Sequence, residues 1–310
     1  MMLNQTTSHL LMVRPVRFAF NEETAGNNAF QKRSDVTGEN GLQQQALKEF
    51  DDYVALLQQN GVRVTVVDDT PHPFTPDSIF PNNCFSTHLE TVDGKPLRTL
   101  VLYPMYAENR RKERTKLMKV LGTLPFDRVI DLTAAEADGK FLEGTGALVL
   151  DREHHTAYAC LSPRADAELL KEWGKLLGYK IFAFHAADEA GMAVYHTNVV
   201  MHVGTRFAVV CLESVQDAGE RAALVAQLQA DGKEIVEISM AQMHQFAGNM
   251  LEVRGADGGK RLIMSATAKG ALTGAQIALL ERDVKILSPS LTAIETAGGG
   301  SARCMIAELY

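Results

Sequence analysis

Gly298-Gly299-Gly300-Ser301-Ala302-Arg303-Cys304-Met305-Ile306-Ala307 sets three glycines ahead of one cysteine and an apolar run. Glycine admits φ > 0 and close backbone approach, so the stretch reads as a loop that presents Cys304 at the mouth of a strand. Its polar pair, Arg303-Cys304, is the last of five such motifs. Asn82-Asn83, Glu143-Gly144, His196-Thr197-Asn198 and Gly248-Asn249 precede it, and the steps from Asn83 to Glu143, His196, Asn249 and Cys304 are 60, 53, 53 and 55 residues. Between motifs the pattern repeats as an apolar strand, a capped helix and a further strand.

Apolar residues at three- and four-residue spacing predict helices at 42–60, 108–121, 164–177, 217–230 and 272–283, with Ser162-Pro163 as N-cap and first helical proline of the third. Short β-rich runs predict strands at 62–67, 128–132, 180–184, 233–238 and 284–287. A regular step places the same position of each unit at one point. Arranged around an axis, the five motifs converge on one central site. The apolar segment 10–20 has no helix before it and is expected to pair with the C-terminal unit, closing the ring.

The 310 residues are 46% hydrophobic and 22% charged, with no linker or low-complexity run, which predicts one domain over 1–310. A formal charge of −7 argues against nucleic acid or an anionic membrane as partner. Arg110-Arg111-Lys112-Glu113-Arg114 reads as the solvent-facing start of a helix. Neither a signal peptide nor a membrane span is visible, so a cytoplasmic protein with reduced thiols is expected. Four cysteines without a C-x-x-C spacing give neither a zinc pattern nor a disulfide framework. His154-His155 reads as a hairpin turn rather than a ligand pair, and neither a metal nor an organic cofactor is expected. The expected partner is a small-molecule substrate. Self-association is left open.

A lone cysteine is usually a small buried apolar residue, and Cys160 and Cys211, inside apolar runs, fit that description; Cys84, beside a polar pair, is ambiguous. Cys304 differs because the repeated motifs bring His196, Glu143 and several asparagines with it. Together they read as a cysteine nucleophile with a base and an orienting carboxylate. Taken alone, Asn82-Asn83 after Pro81 is a turn signal and Asn249 a strand-start amide.

The order Asp77-Ser-Ile-Phe-Pro-Asn-Asn83, Phe141-Leu-Glu-Gly-Thr-Gly146, His196-Thr-Asn198 and Gly-Gly-Gly-Ser-Ala-Arg-Cys304 resembles the guanidine-modifying enzymes of the pentein fold over nearly the whole chain. That superfamily includes arginine deiminase, dimethylarginine hydrolase and the amidinotransferases. Val13-Arg-Pro-Val-Arg-Phe-Ala-Phe-Asn21 and Asn82-Asn-Cys-Phe-Ser-Thr-His88 are most similar to its citrulline ureidase branch. The resemblance implies a five-bladed α/β propeller of ββαβ repeats, with Cys304 as nucleophile, His196 as general acid and base, and Glu143 orienting His196. It also implies substrate contacts from Asp77, Asn82, Asn83, Asn198, Asn249 and Arg303. Arg33 and Arg303 are both candidates for a substrate carboxylate.

Two departures bear on substrate. Arginine-processing relatives carry carboxylates where this chain has Asn83 and Asn198. A guanidinium wants carboxylates facing its N–H fork, whereas the oxygen of a neutral ureido group needs a donor. The expectation is therefore a hydrolase that converts citrulline to ornithine, carbon dioxide and ammonia. Alternatives are an arginine or methylarginine deiminase or a dimethylarginine hydrolase, favoured if Asp77 supplies the missing charge, and a non-catalytic binding or assembly factor. A third departure, Thr145-Gly146 where relatives often carry an aspartate, leaves that contact open.

Overall fold

The structure is a computed structural model that describes residues 5–33 and 38–310, the side chains of 38–40 excepted. Its strands form five three-stranded sheets of identical topology. In chain order the strands are β1 (His9–Arg14), β2 (Arg63–Asp68), β3 (Phe85–Val92), β4 (Lys95–Leu102), β5 (Arg128–Asp131), β6 (Val149–Asp151), β7 (Thr156–Cys160) and β8 (Lys180–Phe184). They continue as β9 (Met201–Val203), β10 (Phe207–Val210), β11 (Glu234–Glu237), β12 (Leu251–Arg254), β13 (Lys260–Ile263), β14 (Lys285–Leu287) and β15 (Ala307–Glu308). In each sheet the first two strands are antiparallel and the last two, joined through a helical crossover, are parallel.

The fifth sheet has the order β15-β1-β2, with Leu11 opposite Ala307 and Leu10 opposite Glu308. The N-terminal segment thus closes the ring as expected, although its strand ends at Arg14 rather than continuing to residue 20. Burial grades outward within each sheet. The first strands β6, β9 and β15 are buried throughout, whereas the third strands β5 and β11 alternate with exposed positions. First strands also touch one another: β15 meets β3, and β9 meets both β6 and β12. The ββαβ units are therefore blades of an α/β propeller, with their first strands around the axis.

Because each motif immediately precedes a first strand, the motifs share one end of that axis. The turn Gly144–Ala147 packs on both Pro81–Asn83 and Thr197–Val200. The turn carrying His154-His155 does join β6 to β7.

Several elements differ from the sequence pattern. The third helix starts at Ala167, because the Asp166 carboxylate accepts from the amides of Glu168 and Leu169 and is the better-placed cap. Ser162 serves a preceding turn instead, its hydroxyl accepting from Arg164 N. The 272–283 helix begins only at Gly274: Leu272 is extended, and Thr273 and Gln276 form a capping box. Helix 108–121 breaks at Lys112. Its basic run does not wholly face solvent: Lys112 is exposed, but Arg110 is 2% exposed and Glu113 1%. A helix at Thr292–Gly298, too short for a periodic signal, ends at Gly299 with φ +65°. There a Cβ would stand 2.6 Å from Asn28 Nδ2, so the glycine run presses against the segment 21–31.

Burial holds two axial histidines far below their ordinary value near 6.5. His88 is also lowered by Arg152 and Arg128; His202, lowered further by Arg303 and Lys233, falls to about 3. A depressed folded-state value contributes stability above pH 6.5 that is lost on acidification, because only the unfolded chain takes the proton. His202 should destabilise the fold by about 2 kcal/mol between pH 6.5 and pH 5, with His88 acting in the same direction. His202→Asn should flatten the fall of the denaturation midpoint over this interval, measured by urea titration at several pH values. An unchanged slope would contradict the assignment.

Candidate active site

Cys304 lies in the turn before β15, its amide donating to Ser301 O at 3.0 Å, and is buried. Two side-chain amides converge on its sulfur. Asn249 Nδ2 donates to Sγ at 3.2 Å and Asn198 Nδ2 at 3.5 Å, an arrangement complementary to negative charge on sulfur. Asn249 also ties three motifs together, donating to Asn198 O at 3.1 Å while its Oδ1 accepts from Arg303 N at 2.9 Å. Arg303 itself turns away, its guanidinium donating to Ile306 O and Glu308 at 2.7 and 2.9 Å. Arg33 is on the exposed surface, paired with Glu22.

His196 bonds Glu143 Oε2 through Nε2 at 2.8 Å. A carboxylate only accepts, so Nε2 carries the proton and Nδ1 is left as the basic nitrogen. Glu143, fully buried, also accepts from Tyr106 N at 2.9 Å and Arg164 Nη1 at 3.5 Å. Burial alone would raise the Glu143 carboxyl, but Arg164, the bond to His196 and the charges of His196 and Arg110 hold it far below the usual range. Burial pulls His196 down to about 4, outweighing the carboxylate that raises it. Burial thus overrides the carboxylate, and His196 is neutral near pH 7. His196 and Cys304 share no hydrogen bond among the described residues.

Gly146 holds the next contact. A Cβ there would stand 2.1 Å from Asn83 Nδ2 and 2.9 Å from His196 Nδ1, so the missing side chain lets amide and imidazole meet across the glycine. Thr145 donates to Asn82 O at 3.2 Å, so this position ties the turn to the first motif. Asn82 is fully buried with neither side-chain atom partnered among the described residues.

Asn83 is oriented from behind. Arg110 Nη1 donates to Asn83 Oδ1 at 2.8 Å, leaving Nδ2 as its unpartnered, buried edge. Arg110 in turn donates to Phe80 O at 3.0 Å and to both Glu113 oxygens, and the Cys84 thiol donates to Glu113 at 3.0 Å. Asp77 lies 3.9 Å from Arg110 and accepts from Asn21 Nδ2 at 2.7 Å, while its Oδ1 has no partner. Burial raises the Asp77 carboxyl, with Arg110 and Asn21 countering it only in part.

Sequence reasoning missed Arg110, Arg164, Asn21 and Tyr195. Arg164 lies over the Tyr195 ring, bonds Asn27 and Glu143, and has an unpartnered buried Nε. The Tyr195 ring lies 4.7 Å from the His196 ring and its hydroxyl donates to Gly299 O at 2.8 Å, so Tyr195 links the histidine to the glycine run before Cys304 in one buried cluster, the catalytic pit. Burial, then Cys304, raises its phenol, with Arg164 opposing. The available signal was the spacing of Arg110 and Glu113, which puts an ion pair on one helix face. Nothing in the basic run said that this face is buried. Among the described residues no three His, Cys, Asp or Glu side chains are grouped to hold a metal ion, and no helix is long and apolar enough to cross a membrane.

A five-bladed α/β propeller with cysteine, histidine and glutamate at one end of its axis defines the pentein class of guanidino-modifying hydrolases. The sequence model of the family described as "N,N dimethylarginine dimethylhydrolase, eukaryotic" matches residues 14–310, and the chain belongs to that family. Among solved structures, the N-terminal domain of ArgZ, an arginine dihydrolase of the ornithine-ammonia cycle in Cyanobacteria, is 18% identical, with TM-score 0.74 and 96% of each chain covered. AgrE in complex with L-arginine has TM-score 0.74 at 17% identity, covering 96% of this chain but 39% of that one. A dimethylarginine dimethylaminohydrolase carrying an S-methyl-L-thiocitrulline adduct has TM-score 0.66 at 16% identity, covering 98% of this chain and all of that one. No curated protein matches the chain.

Gly146→Ala should cut turnover at least tenfold, because the methyl group displaces Asn83 and His196 together. The mutant's circular dichroism should remain that of the wild type. Activity within twofold of wild type would contradict the contact.

Proposed function

We propose that the protein is a cysteine-dependent hydrolase of a ureido amino acid, with citrulline as substrate and ornithine, carbon dioxide and ammonia as products. The observation that carries this reading is the orientation of Asn83. With Oδ1 held by Arg110, the amide offers only N–H to the pit. A ureido oxygen accepts there, whereas a guanidinium, which has donors alone, meets a donor.

In this reading Cys304 adds to the ureido carbon and its proton passes to His196. Asn83 Nδ2 donates to the developing oxyanion, a contact worth about 3 kcal/mol. His196 then protonates the departing nitrogen, which leaves as ammonia, and the carbonyl carbon remains bonded to sulfur and to the ornithine nitrogen. His196 next takes a proton from water as the water adds to that carbon. Expulsion of the thiolate gives an N-carbamate, which loses carbon dioxide to leave ornithine. Glu143 holds the imidazole and stabilises its charged form. Asn198 and Asn249 serve the sulfur rather than the oxyanion. Arg164, through its unpartnered Nε, takes the substrate carboxylate in place of Arg33 or Arg303.

A second reading, in which arginine or a methylarginine is the substrate, rests on Asp77. Its unpartnered Oδ1 is an acceptor for guanidinium N–H. The family name and the neighbours' arginine ligands lend this reading weight.

Purified enzyme should be offered citrulline, arginine and dimethylarginine separately, with ornithine, ammonia and amine release followed beside a Cys304→Ala control. Ornithine release from citrulline alone, absent in the control, is the expected result. Turnover of arginine or dimethylarginine with citrulline untouched would overturn the ureido reading while keeping Cys304. Since His196 starts neutral with a value of about 4, kcat/KM for citrulline should stay level from pH 7 to about pH 5 over the range where the protein stays folded. A falling limb near pH 6.5 would contradict the assigned protonation state.

A further inference from the structure

The propeller has a cavity at the end away from Cys304. Arg63 opens β2, Arg98 lies in the outer half of β4, and Arg254 ends β12. Since β1 runs antiparallel to β15 and parallel to β2, the starts of β1 and β2 lie opposite the turn that carries the nucleophile. The three arginines line a cleft of about 540 Å³, a volume in the range of small-molecule sites.

Their state is unusual for this chain. Arg14, Arg128 and Arg282 each hold a carboxylate, as most of its arginines do. Arg63, Arg98 and Arg254 have none within 4.0 Å among the described residues, in a protein whose acids outnumber its Lys and Arg by 38 to 31. Arg254 is fixed by donating to Thr6 O at 3.0 Å. The side chains of Arg63 and Arg98 make no hydrogen bond among the described residues. Beside them, Leu124, Phe126 and Tyr310 supply an apolar wall. His9 faces the same space and is held below its ordinary value by burial and then by Arg63, whose charge is thus felt inside the cleft.

Three uncompensated guanidinium forks read anionic oxygens in pairs, and a flat apolar wall reads a ring. We propose that this cleft binds a small organic polyanion of the nucleoside phosphate class, its phosphates on Arg63, Arg98 and Arg254 and its ring system against Leu124, Phe126 and Tyr310. No residue of the catalytic pit takes part.

Isothermal titration of the whole protein with ATP, and separately with pyrophosphate, tests this against the double variant Arg63→Ala/Arg98→Ala. Saturable one-site binding of ATP is expected, at least tenfold weaker in the variant and at least tenfold tighter than pyrophosphate. The variant's hydrolytic turnover and thermal midpoint without ligand should equal those of the wild type, since both side chains are free of internal partners. Absence of saturable ATP binding, or equal ATP binding by the variant, would overturn the site. Pyrophosphate binding as tightly as ATP would overturn the organic class of the ligand. Sedimentation showing a wild-type dimer and a monomeric variant would assign the cleft to a second copy of the chain and overturn the proposal. These readouts do not depend on which amino acid the catalytic end hydrolyses.

Discussion

A guanidinium removed from water must be satisfied on every edge, and Arg110 meets that demand at the catalytic end of the axis. Glu113 supplies the charge, Phe80 O and Asn83 Oδ1 the remaining acceptors. The consequence reaches the pit, because an amide with its oxygen committed can present only its nitrogen. The proposed ureido reading rests on that one orientation. Glu143, by contrast, is kept charged by Arg164, His196 and Arg110 together, and so can hold the imidazole in a single tautomer.

The propeller makes this economy of charge possible. Each first strand is buried where it leaves its motif, because the other blades surround it there, so polar groups from five distant segments meet at one end of the axis. Asn249 shows the principle in one side chain: its amide joins the Cys304 sulfur, the Asn198 carbonyl and the Arg303 amide. Such a site is assembled only when the ring is closed, and the pairing of β1 with β15, directly after Cys304, closes it.

The spacing of the motifs made the repetition and the convergence legible in the sequence, because a ring of like units carries like positions to one point. Cys304, His196 and Glu143 could be picked out because their chemistry is meaningful only in combination. Arg110 could not. A basic run at a helix start ordinarily faces water, and its burial depends on packing against Pro81–Asn83, far away in sequence. The cap at Asp166 and the break at Leu272 escaped for a related reason: local patterns compete, and the stronger capping side chain decides. Arg303 was misjudged because adjacency to the nucleophile does not fix where a long side chain points. Its partner is Glu308, in the strand that follows.

The central claim is that the Cys304 sulfur attacks a ureido carbon. Enzyme mixed with citrulline, quenched in acid within one turnover and digested, can be examined by mass spectrometry for the peptide that contains Cys304. The account predicts that this peptide gains the mass of citrulline less ammonia. An adduct formed with arginine or dimethylarginine but never with citrulline would contradict it.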